Sequence, residues 1–133
     1  MTFSVSQIDH VEVMVRDLDA AARWYREVLG LVEQRRWDPE PVMIGGGAGG
    51  SLLALFLAGD GGETSAAAAA NPHGAGPHWH RVAWRTDRAG FAAAQRHLTG
   101  LGIPFRGPID HGIAWSIYFH DPDGNPLEIT YYL

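Results

Sequence analysis

Residues 10–31 can be laid on residues 80–101 without a gap, so that "HVEVMVRDLDAAARWYREVLGL" meets "HRVAWRTDRAGFAAAQRHLTGL". His10 falls on His80, Asp17 on Asp87, Ala22 on Ala92, Arg26 on Arg96, Gly30 on Gly100 and Leu31 on Leu101. A repeat of this length constrains the fold more than any composition does, because each copy must be one supersecondary unit. Each copy opens with a strand-like stretch: "VEVMV" is rich in β-branched residues, and "RVAWRT" alternates apolar and polar. Asp17 or Asp19 in the first copy, and Thr86 or Asp87 in the second, can cap a following helix. The first helix then places Ala21, Trp24, Tyr25, Val28 and Leu29 on one face. The second places Phe91, Ala94, Gln95 and Leu98 at the same spacing. Gly30 and Gly100 supply the residue that ends each helix in a left-handed conformation.

Three strand candidates follow each helix. In the first half they are "LVEQRRW", "PVMIG" and "SLLALFLA"; in the second, "IPFRGPI", "AWSIYFH" and "PLEITYY". The pattern is βαβββ twice, an α+β fold in which two units form a cupped, pseudo-twofold mixed sheet with flanking helices. One domain, 1–133, then divides into unit one at about 6–59, a linker at about 60–77 and unit two at about 78–133. The linker "GDGGETSAAAAANPHGAGP" mixes five alanines with helix-breaking Gly, Pro and Asn. "GGGAGG" has neither a P-loop lysine nor dinucleotide-fold spacing and reads as a hairpin turn.

Bulk properties remove several function classes. A net charge of -5 argues against a surface that tracks phosphates, so no nucleic-acid partner is expected. With no cysteine, thiolate metal sites and thiol nucleophiles are excluded. The N-terminus "MTFSVSQIDHVEV" does not read as a signal peptide, and "LLALFLA" is too short to cross a bilayer. A soluble cytoplasmic domain with no membrane partner is expected.

Seven histidines are present: His10, His73, His78, His80, His97, His111 and His120. His73 falls in the linker and His97 on the second helix, which gives both a bland reading. His10 and His80 occupy the same place in the two copies, and Glu128 stands in the otherwise apolar run "PLEITYY". If the units pack about a pseudo-twofold axis, two imidazoles and one carboxylate form a facial triad with open positions for substrate. "SLLALFLA" offers no fourth ionisable ligand, and three ligands with open positions suggest catalysis. The spacing serves the alternative equally well, in which His10 and His80 cap strands and Glu128 faces water. His78 competes with His80, since H-W-H puts both on one strand face.

The chain at this point resembles the vicinal oxygen chelate superfamily, the glyoxalase, bleomycin-resistance and extradiol dioxygenase group. "IDHVEVMVRDLDAAARWYREVLGL" is similar to its opening strand and helix, and "YFHDPDGNPLEI" to its closing hairpin. The resemblance implies paired βαβββ units around a metal, with His10, His80 and Glu128 as ligands. Within the group the close of the chain is most similar to the extradiol ring-cleavage signature. His111 is followed by "GIAWS", Ile117-Tyr118, "FH", "DPDG", "NPL" and Glu128. That likeness makes His111 and Tyr118 the expected catalytic residues, the first moving a proton and the second holding a substrate oxygen. It implies Fe(II), or Mn(II) or another divalent ion, and a catechol-like aromatic substrate. Stand-alone two-unit members of the group often work as homodimers. One departure is the neighbourhood "GAGGS", where well-known extradiol enzymes carry a further histidine.

Two other readings compete. Isomerisation, epimerisation or thiol transfer would use the same triad, and Arg81, Arg85 and Arg106 would then receive an anionic substrate. A bleomycin-resistance-like protein would bind a small molecule without chemistry. Trp84, Trp115 and Tyr131 are candidates for flat walls against an aromatic ligand; a place in the core suits them equally, and Trp84 is expected there.

Overall fold

The structure is a computed structural model that describes residues 7–47, 49–59 and 80–133. The expected linker at 60–77, with His73, and also His78 lie outside the described residues. The chain divides into two compact units, Met1–Gly74 and Ala75–Leu133. Unit one contains β1 (His10–Val15), α1 (Leu18–Leu29), β2 (Val32–Arg36), β3 (Val42–Gly45) and β4 (Leu52–Leu57). Unit two contains β5 (Val82–Arg85), α2 (Arg88–Gly100), β6 (Arg106–Asp110), β7 (Ala114–His120) and β8 (Pro126–Tyr132). The strand orders are β1-β4-β3-β2 and β5-β8-β7-β6, so each unit is a βαβββ motif with the same topology. In each, the first strand lies parallel to the last and the remaining pairs are antiparallel.

In both copies the aspartate aligned by the repeat is the helix cap. Asp17 accepts the Ala20 N–H at 2.9 Å, and Asp87 accepts the Gly90 N–H at 2.7 Å, each satisfying a donor the helix cannot. α1 buries Leu18, Ala21, Tyr25 and Val28 against its sheet, while Trp24 and Leu29 are only half-buried. α2 buries Phe91 and Leu98, the narrower stripe that its alanine-rich sequence implies. The helix ends differ from the sequence expectation in one place. Gly30 is left-handed at φ 72 and closes α1, but Gly100 belongs to α2 and Gly102, at φ 71, takes the left-handed turn. The second helix runs on because Leu101 stays right-handed as its cap, donating to the His97 carbonyl at 3.0 Å.

The hairpin between β7 and β8 sets the register of unit two. Asp121 is buried, and its Oδ1 accepts the Asp123 N–H at 2.9 Å and the Asn125 N–H at 2.8 Å. The Asn125 amide donates to Oδ2 at 2.8 Å, and Gly124 takes φ 87 to close the turn. With the loop length fixed, Tyr118 pairs with Glu128, Ser116 with Thr130 and Ala114 with Tyr132. Directly opposed residues share a face, so this register decides which side chains meet. The other face, carrying Ile117, Phe119, Leu127, Ile129 and Tyr131, is buried, with the Tyr131 ring 4.9 Å from Phe91 of α2. Asp121→Ala leaves three donors of the turn without their acceptor and is expected to lower unfolding stability by about 1–3 kcal/mol. Chemical denaturation measures it; a loss below about 0.5 kcal/mol would show that the turn is held by something else.

Candidate functional site

Strand alternation builds the open face of unit two. Ala83 pairs with Glu128 and Arg85 with Thr130, so these four side chains lie away from α2, together with Ser116, Tyr118 and Arg106. Arg81, one step before β5, shares their phase. Its contacts agree with that placement: Nη1 stands 3.9 Å from Glu128 Oε1, and the guanidinium carbon is 4.4 Å from the Tyr118 ring centroid. The other carboxylate oxygen of Glu128 accepts the Ser116 hydroxyl at 3.1 Å. Ser116 is buried, and its hydroxyl also stands 3.0 Å from Thr130 Oγ1. Glu128 is therefore a carboxylate only 20% exposed with both oxygens engaged. That answers how a charge is tolerated in an apolar run: a guanidinium and a hydroxyl replace the water it loses.

Tyr118 is the centre of a cationic cluster. The Arg106 guanidinium lies over its ring at 4.8 Å in addition to Arg81 at 4.4 Å. Each such contact is worth about 0.5–2 kcal/mol depending on desolvation. The Tyr118 hydroxyl shares a 2.7 Å hydrogen bond with His111 Nε2, their rings meeting edge-on. His111 is exposed at the start of the β6–β7 connection, so the pair opens to solvent on one side. Arg85 stacks on Tyr132 at 4.5 Å on the same face. Three guanidiniums thus share this face with the Glu128 carboxylate, and the local field attracts anions. Arg81 Nε is buried and has no hydrogen-bond partner among the described residues, whereas Nη2 lies 3.4 Å from His80 Nε2.

Unit one presents a different surface. His10, Glu12 and Met14 pair with Leu52, Ala54 and Phe56, and this face carries a shallow pocket of about 290 Å³. Trp37, Glu40, Pro41 and Met43 complete its lining. Glu40 turns its carboxylate inward to accept the Leu57 N–H, at 2.6 Å. His10 Nδ1 lies 2.8 Å from Asp9 Oδ2 and Nε2 lies 3.2 Å from Glu12 Oε2. These two hydrogen bonds, the Asp9 one first, hold its imidazolium above the ordinary histidine range.

The residues singled out in the sequence are distributed as follows. His111 and Tyr118 are brought together, and Tyr118 stands directly across from Glu128. His10 lies in unit one beside two carboxylates, and His80 precedes β5 with Nε2 3.4 Å from Arg81 Nη2. Trp84, Trp115 and Tyr131 lie on the α2 side of the sheet, because they pair with or next to Ile129 and Tyr131 rather than Glu128. They are not walls for a ligand on the Glu128 face; Tyr118 and Tyr132 are rings that lie there. Ser116 was not singled out in the sequence, although its phase with Tyr118 and Thr130 would have placed it beside the carboxylate.

A divalent ion is what the resemblance implies, and the donor set of unit two as it stands does not fit one. The carboxylate that would be its anionic ligand already faces the Arg81 guanidinium, and the His80 nitrogen also faces that guanidinium. Among the described residues no group of three or more His, Asp or Glu side chains is arranged to hold a metal ion.

Comparison with known proteins agrees with this architecture. A glyoxylase/bleomycin resistance protein/dioxygenase domain from Frankia sp. EAN1pec superposes with TM-score 0.77 at 24% identity, covering 98% of this chain and 94% of that one. Lactoylglutathione lyase from Agrobacterium tumefaciens gives 0.71 at 24% identity, covering 96% and 94%. TnmS3, an antibiotic binding protein from Streptomyces sp. CB03234, gives 0.74 at 20% identity, covering 98% and 99%. Identities this low show a shared fold alone. No curated protein sequence matches the chain. Residues 7–129 match the Glyoxalase/Bleomycin resistance protein/Dioxygenase superfamily, and with that match across nearly its whole length the chain belongs to this superfamily.

Proposed function

We propose that the chain binds a small anionic organic molecule on the open face of unit two. The observation that supports this most is Tyr118 with the Arg81 and Arg106 guanidiniums over its ring, on a face where the Glu128 carboxylate is already engaged. A carboxylate or phenolate oxygen can take the outward N–H groups of Arg106, which offer paired donors in a planar fork. The His111–Tyr118 hydrogen bond gives the ligand a neighbouring group that can donate or accept a proton. TnmS3, which shares this fold, is an antibiotic binding protein, and that supports a binding role.

A metal-dependent reading stands second, and the 2.7 Å His111–Tyr118 contact is the observation in its favour. It is the extradiol-type reading, with His10, His80 and Glu128 as ligands of Fe(II) or Mn(II) and a catechol-like substrate. Isomerase, lyase or transferase chemistry would use the same ligands. The two readings separate in one set of measurements. Protein purified anaerobically and loaded with Fe(II) is mixed with catechols and O2 while absorbance is followed. No coloured ring-cleavage product is expected. Metal bound at stoichiometric level and lost in both His10→Ala and Glu128→Ala would instead favour the metal reading.

For the leading reading, calorimetry with aromatic carboxylates and their uncharged amides is the direct test. The carboxylates are expected to bind more tightly, and their affinity to fall as salt rises. Arg106→Met and Tyr118→Leu are each expected to weaken binding by about 5–30-fold, the equivalent of 1–2 kcal/mol. Equal affinity for acid and amide, or no effect of Arg106→Met, would overturn the assignment.

A further inference from the structure

We propose that Arg81 is a resident counter-cation that keeps divalent metals off Glu128, so that its removal converts this face of unit two from metal-excluding to metal-binding. The starting point is the phase of β5. Val82 and Trp84 pair with Leu127 and Ile129 on the α2 side, which leaves Arg81, Ala83 and Arg85 on the side of Glu128. Ala83, directly opposite Glu128, has no side chain to reach it, and Arg81 fills the space beside the carboxylate.

Three contacts hold the guanidinium there. It stacks over Tyr118 at 4.4 Å, it faces Glu128 Oε1 at 3.9 Å, and its Nη2 faces His80 Nε2 at 3.4 Å. The same group thereby occupies a carboxylate oxygen and an imidazole nitrogen, the two donor atoms nearest to it that a divalent ion would want. A cation placed against Glu128 would stand within a few ångströms of a fixed positive charge in a half-buried site, where screening is weak. Arginine suits this role because its charge cannot be removed by deprotonation. Lysine would keep the charge but lose the flat contact with Tyr118. This inference does not depend on which organic ligand the face receives, so a chain that bound no carboxylate would still be subject to it.

The test uses the full chain and Mn(II), followed by electron paramagnetic resonance and equilibrium dialysis. In the wild-type background, Glu128→Gln is expected to leave Mn(II) affinity unchanged, because Glu128 is not available to the ion. Arg81→Met, which keeps the stem over the tyrosine, is expected to raise Mn(II) affinity by about tenfold or more. That gain disappears when Glu128→Gln is added and shrinks when His80→Ala is added. Arg81→Lys restores exclusion. Circular dichroism confirms that each variant folds, and the Glu128→Gln comparison in the wild-type background stands even if Arg81→Met does not. Three results would overturn the proposal: wild-type Mn(II) binding that Glu128→Gln abolishes, no gain in folded Arg81→Met, or a gain that survives the loss of Glu128.

Discussion

Everything distinctive about unit two depends on the Asp121 carboxylate. By accepting two backbone N–H groups and the Asn125 amide, it fixes the length of the loop between β7 and β8. Strands have a period of two, so a slip of one residue would turn one strand of the hairpin over relative to the other. A slip that turned β8 would bring Glu128 into the apolar layer under α2 and turn Leu127 out. The cost of burying Glu128 without its hydroxyl and guanidinium partners is what makes the observed register the stable one. A buried turn aspartate and a half-buried strand glutamate thus act on the same equilibrium, one through geometry and the other through desolvation.

The register then decides the electrostatics. With Glu128 opposite Ala83, the next residue on that side of β5 is Arg81, and it brings its charge to the carboxylate. At 3.9 Å this is a charge contact rather than a hydrogen bond, and its guanidinium is positioned as much by the Tyr118 ring as by the anion. The tyrosine therefore acts at both ends, since its ring seats two guanidiniums while its hydroxyl engages His111. Such an arrangement loses little conformational freedom on binding, because the side chains that would meet a ligand are already stacked.

The fold was almost fully legible in the sequence. The eight strands and two helices of the described residues fall on the stretches that periodicity, caps and turns mark out, and the two capping aspartates are the aligned pair. The pairing of Tyr118 with Glu128 also follows from the Asp-Pro-Asp-Gly turn, whereas His111 and Tyr118 were singled out by the resemblance alone. The orientation of residues at the start of β5 was not legible. Aligning the copies on their helices puts His80 on His10, yet the strand phases differ by one residue. In unit one the sheet face away from the helix carries residues 10, 12 and 14; in unit two it carries 81, 83 and 85. A gapless alignment is anchored by the caps, and nothing in it reports the phase of a four-residue strand with an arginine on either end. The choice between wall and core was open for a related reason: Trp115 and Tyr131 pair with each other on the face that α2 covers, which spacing alone does not reveal.

The phase difference also explains how one duplicated scaffold carries two unlike surfaces. In unit one the first strand supplies the carboxylate and the last strand the alanine, Glu12 opposite Ala54. In unit two the roles are exchanged, Ala83 opposite Glu128. The histidine of unit one sits among carboxylates that favour its protonated form, whereas the histidine of unit two sits against an arginine. The strand order and the capping aspartates are common to both. The residues facing away from the helices carry the difference in charge. The one-residue difference of phase thus puts Glu12 on this side of β1 and Arg81 and Arg85 on the corresponding side of β5.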